Sequence, residues 1–191
     1  KETLLTQLKL GLSYHSYSGA AILANLTVRN LLLDKSRTML KIAAGEYLRF
    51  LVEHRQILGP KANNYINVSY RTENLPLNLY EGEKNTSRYH ATYSRFDLNF
   101  TRVFGINWSL AAGINHQRYI FSPEIADNFI FDGSSNNFYT YMRSESKTTD
   151  RLYFPTRGYE FSAEAGIVFN RKARIQVFDD EGNAADSSEI V

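Results

Sequence analysis

Cysteine is absent from this 191-residue chain. That leaves no disulfide framework, and it fits a cytosolic protein as well as a cell-envelope protein that dispenses with disulfides. No apolar run approaches the roughly 20 residues of a membrane-spanning helix. One of the longest, Ala20-Ala21-Ile22-Leu23-Ala24, stops at Asn25. A helical membrane protein is thereby excluded, whereas a β-barrel is not, because its strands need apolar residues only at alternate positions. Excess charge of one sign is missing too. The net charge is +2, with basic and acidic residues interspersed, which argues against a nucleic-acid partner. The chain starts at Lys1 without a secretory leader and runs out in a largely polar stretch, so it is expected to be a segment of a longer protein.

Chemical motifs are equally scarce. There is no G-x-S-x-G nucleophile elbow and no Gly-rich phosphate loop ahead of a helix. His15, His54, His90 and His116 are scattered over separate strands without His-x-x-x-His spacing, so a metal site is not expected. Asp132-Gly133 lies in a polar stretch and reads as a turn. Glu160 and Glu164 share one face of one strand without being adjacent, which suits a wetted wall better than a catalytic pair. No catalytic residue, metal or cofactor is assigned.

What the sequence does have is strand material: 13 Tyr and 12 Phe against one Trp. Leu8, Leu10, Leu12 and Tyr14 alternate with Lys9, Gly11, Ser13 and His15. Similar alternation follows with Ile22 to Val28, Leu40 to Ala44, Leu48 to Val52, Ile66 to Tyr70, Phe96 to Phe100 and Trp108 to Ile114. Strand side chains point to opposite faces in turn, so each run has an apolar wall and a polar one. Short turn signals join them at Tyr17-Ser18-Gly19, Leu33-Asp34-Lys35-Ser36, Gly45-Glu46, Gly59-Pro60 and Gly105-Ile106-Asn107. Polar stretches at 72–87 and 122–136 read as long loops. An eighth run near 137–147 has a blurred pattern, and 171–191 reads as a loop or one extra strand. The fold class expected is all-β: an antiparallel up-and-down meander of about nine strands.

The polar wall carries Arg29, Lys41, Arg49, Glu53, Arg55, Arg71, Arg95, Asp97, Glu160 and Glu164. Aromatics collect near strand ends at Tyr14, Tyr17, Tyr47, Tyr70, Phe104, Trp108, Tyr119 and Tyr159, where membrane barrels place their girdles. A soluble barrel or sandwich, including a lipid-binding one, yields the same alternation with its apolar face turned to a dry core.

The ninth run decides between these. Asp150-Arg151-Leu152-Tyr153-Phe154-Pro155-Thr156-Arg157-Gly158 leads into a strand with Tyr159, Phe161, Ala163, Ala165, Ile167 and Phe169 on one face. Pro155 fixes φ and Gly158 permits φ > 0, so the segment is a turn. Asp150 is placed to pair with Arg157 or Arg151; exposed pairing of this kind is worth under about 1 kcal/mol. With its Asp, Phe154-Pro155-Thr156-Arg157-Gly158 closely resembles the (Y/F)-P-T-x-G segment of the BamA-like outer-membrane superfamily, also called the bacterial surface antigen family. The opening Gly19-Ala-Ala-Ile-Leu-Ala-Asn-Leu-Thr-Val-Arg-Asn-Leu is similar, less specifically, to barrels attached to bacterial patatin-like phospholipases.

The resemblance implies that residues 1–191 are part of a larger transmembrane barrel in the bacterial outer membrane, with strands to about residue 170. It implies a role in protein assembly, translocation or anchoring of an attached domain. Its partners would be outer-membrane lipid, client β-strands and an upstream periplasmic or surface domain. The alternative it implies is the barrel of a patatin-like phospholipase whose catalytic domain lies upstream. The family's (V/I)-R-G-(F/Y) motif does not occur in these residues.

Overall fold

The structure is a computed structural model that describes residues 5–16, 19–81, 84–126, 130–149, 156–178 and 184–190. It contains one antiparallel sheet in strict sequence order. The strands are β1 (Thr6–His15), β2 (Gly19–Arg29), β3 (Ser36–Gly45), β4 (Arg49–Leu58), β5 (Asn64–Glu81), β6 (Lys84–Phe104), β7 (Trp108–Ala126), β8 (Ile130–Lys147), β9 (Glu160–Phe178) and β10 (Ala184–Ile190). No helix occurs among the described residues, and the sheet does not close, since β1 and β10 do not pair.

The cross-strand register gives each face a definite membership. Leu8, Leu26, Leu40, Val52, Tyr70, Phe96, His116 and Phe138 stand side by side in one row. All the expected apolar positions share that face: Leu10, Leu26, Phe50, Val68, Leu98, Phe100 and Ile167. The ten charged residues of the polar wall share the other. Among the described residues only strands adjacent in sequence pack together, and no second layer covers either face. Yet Asp97, Thr101, Asn115 and Tyr141 on the polar face are buried, whereas Leu10 and Ile167 on the apolar face are each 72% exposed. The polar face is therefore concave, its side chains leaning on one another, and the apolar face is convex and bare. A soluble sandwich or lipid-binding barrel would have its apolar side covered instead.

The apolar band runs obliquely across the strands. The row near its lower limit in β1 and β2 (Leu8, Leu26) continues into the row at its upper limit in β5 and β6 (Tyr70, Phe96). From β1 to β9 the band centre slips by about eight residues over eight strand steps; at ~3.4 Å per residue and ~4.8 Å per strand this is a tilt of about 35°. Outer-membrane barrels have strands tilted by about that much. Aromatics mark the band's edges. Tyr14, Tyr70, Phe96, Phe138 and Phe169 lie along the upper limit, and Phe104, Trp108 and Tyr159 along the lower. Phe104 stacks on Trp108 at 4.7 Å and Phe138 meets Phe169 edge-on at 4.7 Å. Tyr17 lies outside the described residues. Tyr47 and Tyr119 do not belong to the girdle: Tyr47 is buried, and Tyr119 is on the concave face, 4.8 Å from Tyr93.

Within the polar stretches expected as long loops at 72–87 and 122–136, residues 72–81, 84–87, 122–126 and 130–136 are instead continuations of β5 to β8, and 171–178 continues β9. A tenth strand, Ala184–Ile190, follows within the stretch read as a loop or one extra strand, so the described sheet has ten strands. Asp132-Gly133 is paired strand, opposite Gln176 and Ile175, not a turn. The reason is an inversion of pattern above the band. There the convex face becomes polar (Thr72, Asn74, Thr92, Ser94, Arg118, Ser134, Asn136), while the concave face becomes aromatic (Tyr93, Tyr119, Phe121). Such hairpins rise clear of the apolar band with their outer surface suited to water. Arg88 of β6 bonds Glu46 at 3.0 Å and the Tyr47 hydroxyl, and Tyr47 packs on His90 at 5.5 Å. The β3–β4 turn thus buttresses the first overhanging hairpin.

Candidate functional site: concave wall, open edge and turn

Three features of the sheet can bear function. The first is a hydrogen-bonded knot on the concave wall. Asp97 of β6 and Asn115 of β7 face each other in the register, and both are buried. Asn115 donates to Asp97 at 2.8 Å, Asn99 donates at 2.6 Å, and the Tyr141 hydroxyl lies 2.9 Å from both carboxylate oxygens. Arg95 approaches at 3.5 Å. A carboxylate so surrounded is satisfied without water, which is the condition for burying it. Tyr141 reaches Asp97 because glycines flank it in its own row, Gly113 on β7 and Gly166 on β9. A Cβ on Gly113 would lie 3.0 Å from the Tyr141 ring and 2.6 Å from the Leu98 carbonyl oxygen. Mid-strand glycine here is a seat for an aromatic ring. Further down the same wall Arg143 pairs with Glu164 at 2.7 Å and covers the Tyr141 ring at 5.1 Å. Lys147 pairs with Glu160 at 3.1 Å. Glu160 and Glu164 are thus ion-pair partners along a wall.

The second feature is the outer edge of β1. Arg29 N–H donates to Leu5 O at 2.7 Å, and Leu5 stands one step below the Thr6–Val28 pair. In an antiparallel ladder bonded and non-bonded pairs alternate. The odd residues of β1 therefore bond to β2. Thr6, Leu8, Leu10, Leu12 and Tyr14 direct their N–H and C=O groups away, to an edge on which no described strand pairs. The side chains of Leu8, Leu10, Leu12 and Tyr14 are among the bare apolar ones, with Leu12 85% exposed.

The third is the β8–β9 connection. Asp150, Phe154 and Pro155 of the sequence motif lie outside the described residues. Thr156, Arg157 and Gly158 are exposed. Gly158 has φ +105°, and a Cβ there would fall 2.5 Å from the Thr148 carbonyl oxygen, so glycine is required on both counts. The neck is tied by Thr148 N–H to Tyr159 O at 2.9 Å and Tyr159 N–H to Thr148 Oγ1 at 3.0 Å.

Alternation in the sequence places Asp97 on the polar wall but does not tie Asn115, Tyr141 or Gly113 to it. A glycine inside an alternating run, away from any turn, is the signal that points to them. Among the described residues no group of His, Cys, Asp or Glu is arranged to hold a metal ion.

A tilted, all-antiparallel sheet with a bare apolar band outside, aromatic rims and a polar concave interior is the wall of a transmembrane β-barrel. A family model described as the OMP85 superfamily matches residues 1–186. The chain therefore belongs to that superfamily of outer-membrane β-barrel proteins, the BamA and surface-antigen kind. No curated protein sequence matches it.

Proposed function

We propose that this segment is the membrane wall of a bacterial outer-membrane protein that assembles, translocates or anchors other polypeptides, with the free edge of β1 as its working element. The observation that carries the reading is the run of backbone groups on Thr6, Leu8, Leu10, Leu12 and Tyr14 that face no described strand. In lipid each such group costs several kcal/mol unless paired. An extended client strand, or the last strand of the complete barrel, supplies the missing partners by β-augmentation. Outer-membrane lipid covers the convex band. An upstream domain of the same polypeptide delivers the client to β1.

The test uses the full-length protein in its cell. Proline at Leu10 removes one outward N–H and leaves the β1–β2 bonds intact. Depletion of the protein is expected to reduce folded outer-membrane barrels, and Leu10→Pro is expected not to restore them. Full restoration by Leu10→Pro would overturn the edge mechanism. The similarity of Gly19–Leu31 to barrels of patatin-like phospholipases supports a second reading, anchoring of an upstream lipase. Release of fatty acid by the full-length protein, with barrel assembly unaffected by depletion, would favour that one.

A further inference from the structure

We propose that the concave wall of β1–β4 is an electropositive track that draws small inorganic anions, chloride and phosphate, into the barrel lumen. This rests on the membrane-barrel reading but not on the edge mechanism of β1. The four strands place Lys9, Arg29, Arg37, Lys41, Arg49 and Arg55 on the concave face, against one acid, Glu53. Arg29, Arg37 and Arg55 stand abreast in one row, and Lys9, Asn25 and Lys41 in another. Like charges set opposite one another on neighbouring strands destabilise a sheet. Here only Arg55 is relieved, by Glu53 at 3.4 Å and by the Tyr65 ring at 4.5 Å. Arg29, Arg37, Lys41, Lys9 and Arg49 make no ion pair with any described residue.

The opposite half of the sheet shows how the same fold handles charge when nothing is to be drawn in. Within the band its concave cations Arg71, Arg95, Arg143 and Lys147 each have an acid within 3.5 Å; Arg171, on the overhang of β9, is the exception among the described residues. The unpaired cations of β1–β4 instead border open space. Lys9, Lys41 and Arg49 line a trough of about 630 Å³, whose far side holds the Arg71–Glu73 pair, and Arg29, Lys35 and Arg37 line another of about 560 Å³ at the lower rim. Charges of one sign on a low-dielectric wall focus the field and enrich counter-ions, and rings of Arg and Lys select anions in pores.

The potential can be read chemically because residues 1–191 contain no cysteine. Asn25→Cys in the full-length protein, reconstituted in lipid vesicles, puts one thiol between Lys9 and Lys41. Its reaction rates with a negatively charged and a positively charged methanethiosulfonate are each divided by those of a free thiol. The anionic reagent is expected to be favoured by roughly tenfold or more. That preference is expected to disappear in Lys9→Gln/Lys41→Gln and to persist in Arg118→Gln/Lys172→Gln, which removes equal charge from the convex face. In planar bilayers the reversal potential across a KCl gradient is expected to lie on the anion side and to move toward zero in Arg29→Gln/Arg37→Gln. Equal normalised rates at Asn25→Cys would mean that other parts of the polypeptide neutralise the wall, and would overturn the proposal. So would a preference that survives loss of Lys9 and Lys41. Neither result would bear on the behaviour of Leu10→Pro, so the two proposals fail separately.

Discussion

The two halves of the sheet share one architecture and use it differently. Strands β1–β4 have 10 or 11 residues and end where the apolar band ends. Strands β5–β9 have 18 to 21 and rise beyond it. The concave wall of the first half is small-residued and basic, with every cation but Arg55 left without an ion pair among the described residues. That of the second half is aromatic and knotted around Asp97, and within the band its cations are matched. The difference separates two requirements of a membrane barrel. Crossing the bilayer needs only about ten alternating residues, and β1–β4 meet that minimum. Interior order and an overhang need additional buried contacts, and β6–β8 hold them.

The sharpest contrast lies along a single strand. Leu98→Arg, within the band on β6, is expected to cost roughly 2–4 kcal/mol in lipid, whereas Ser94→Arg, on the same face above Phe96, should cost about 0–1 kcal/mol. Urea unfolding from vesicles, followed by heat-modified gel mobility, measures both. Equal costs would mean that band and overhang share one environment.

Asp97→Ala tests the halves against each other. It leaves the Asn115, Asn99 and Tyr141 donors without their acceptor on a buried wall, and a loss of about 2–3 kcal/mol is expected. Gly113→Val should cost about 2 kcal/mol by lifting Tyr141 off its seat. Tyr141→Phe in the Gly113→Val background should then add little, since the bond to Asp97 is already lost. Glu53→Ala, on the half-exposed wall of β4, should cost under about 1 kcal/mol. If Glu53→Ala matched Asp97→Ala, the proposed division between an open wall and a knotted wall would collapse.

Within the band the architecture was legible from alternation alone. The apolar members of β1–β7 and β9 and the ten charges of the polar wall fall on the faces their parity predicts. Legibility ended where the faces stopped differing in polarity. In β8, Tyr139 and Tyr141 point inward and Phe138 and Met142 outward, so both faces look apolar and the period blurs. Above the band, Thr72, Asn74 and Thr92 face out and Tyr93 and Tyr119 face in, which reverses the signal and resembles a polar loop. The Asp97 knot depends on cross-strand register, and a single-strand period carries no information about which residues of separate strands become neighbours. At Gly158 φ and lack of space both require glycine, whereas Pro155 lies outside the described residues.

Nitroxide labels at Leu10, Leu26, Phe50, Val68, Leu98, Phe100 and Ile167 of the full-length protein in bilayers report whether the convex band faces lipid. All seven are expected to be relaxed by oxygen dissolved in the acyl region and shielded from a water-soluble nickel chelate. A label at Lys41, on the concave wall, and one at Ser94, above the band, are expected to show the opposite balance. Water-like accessibility at the seven band positions, or protection from both reagents as in a covered protein core, would contradict a membrane-spanning wall.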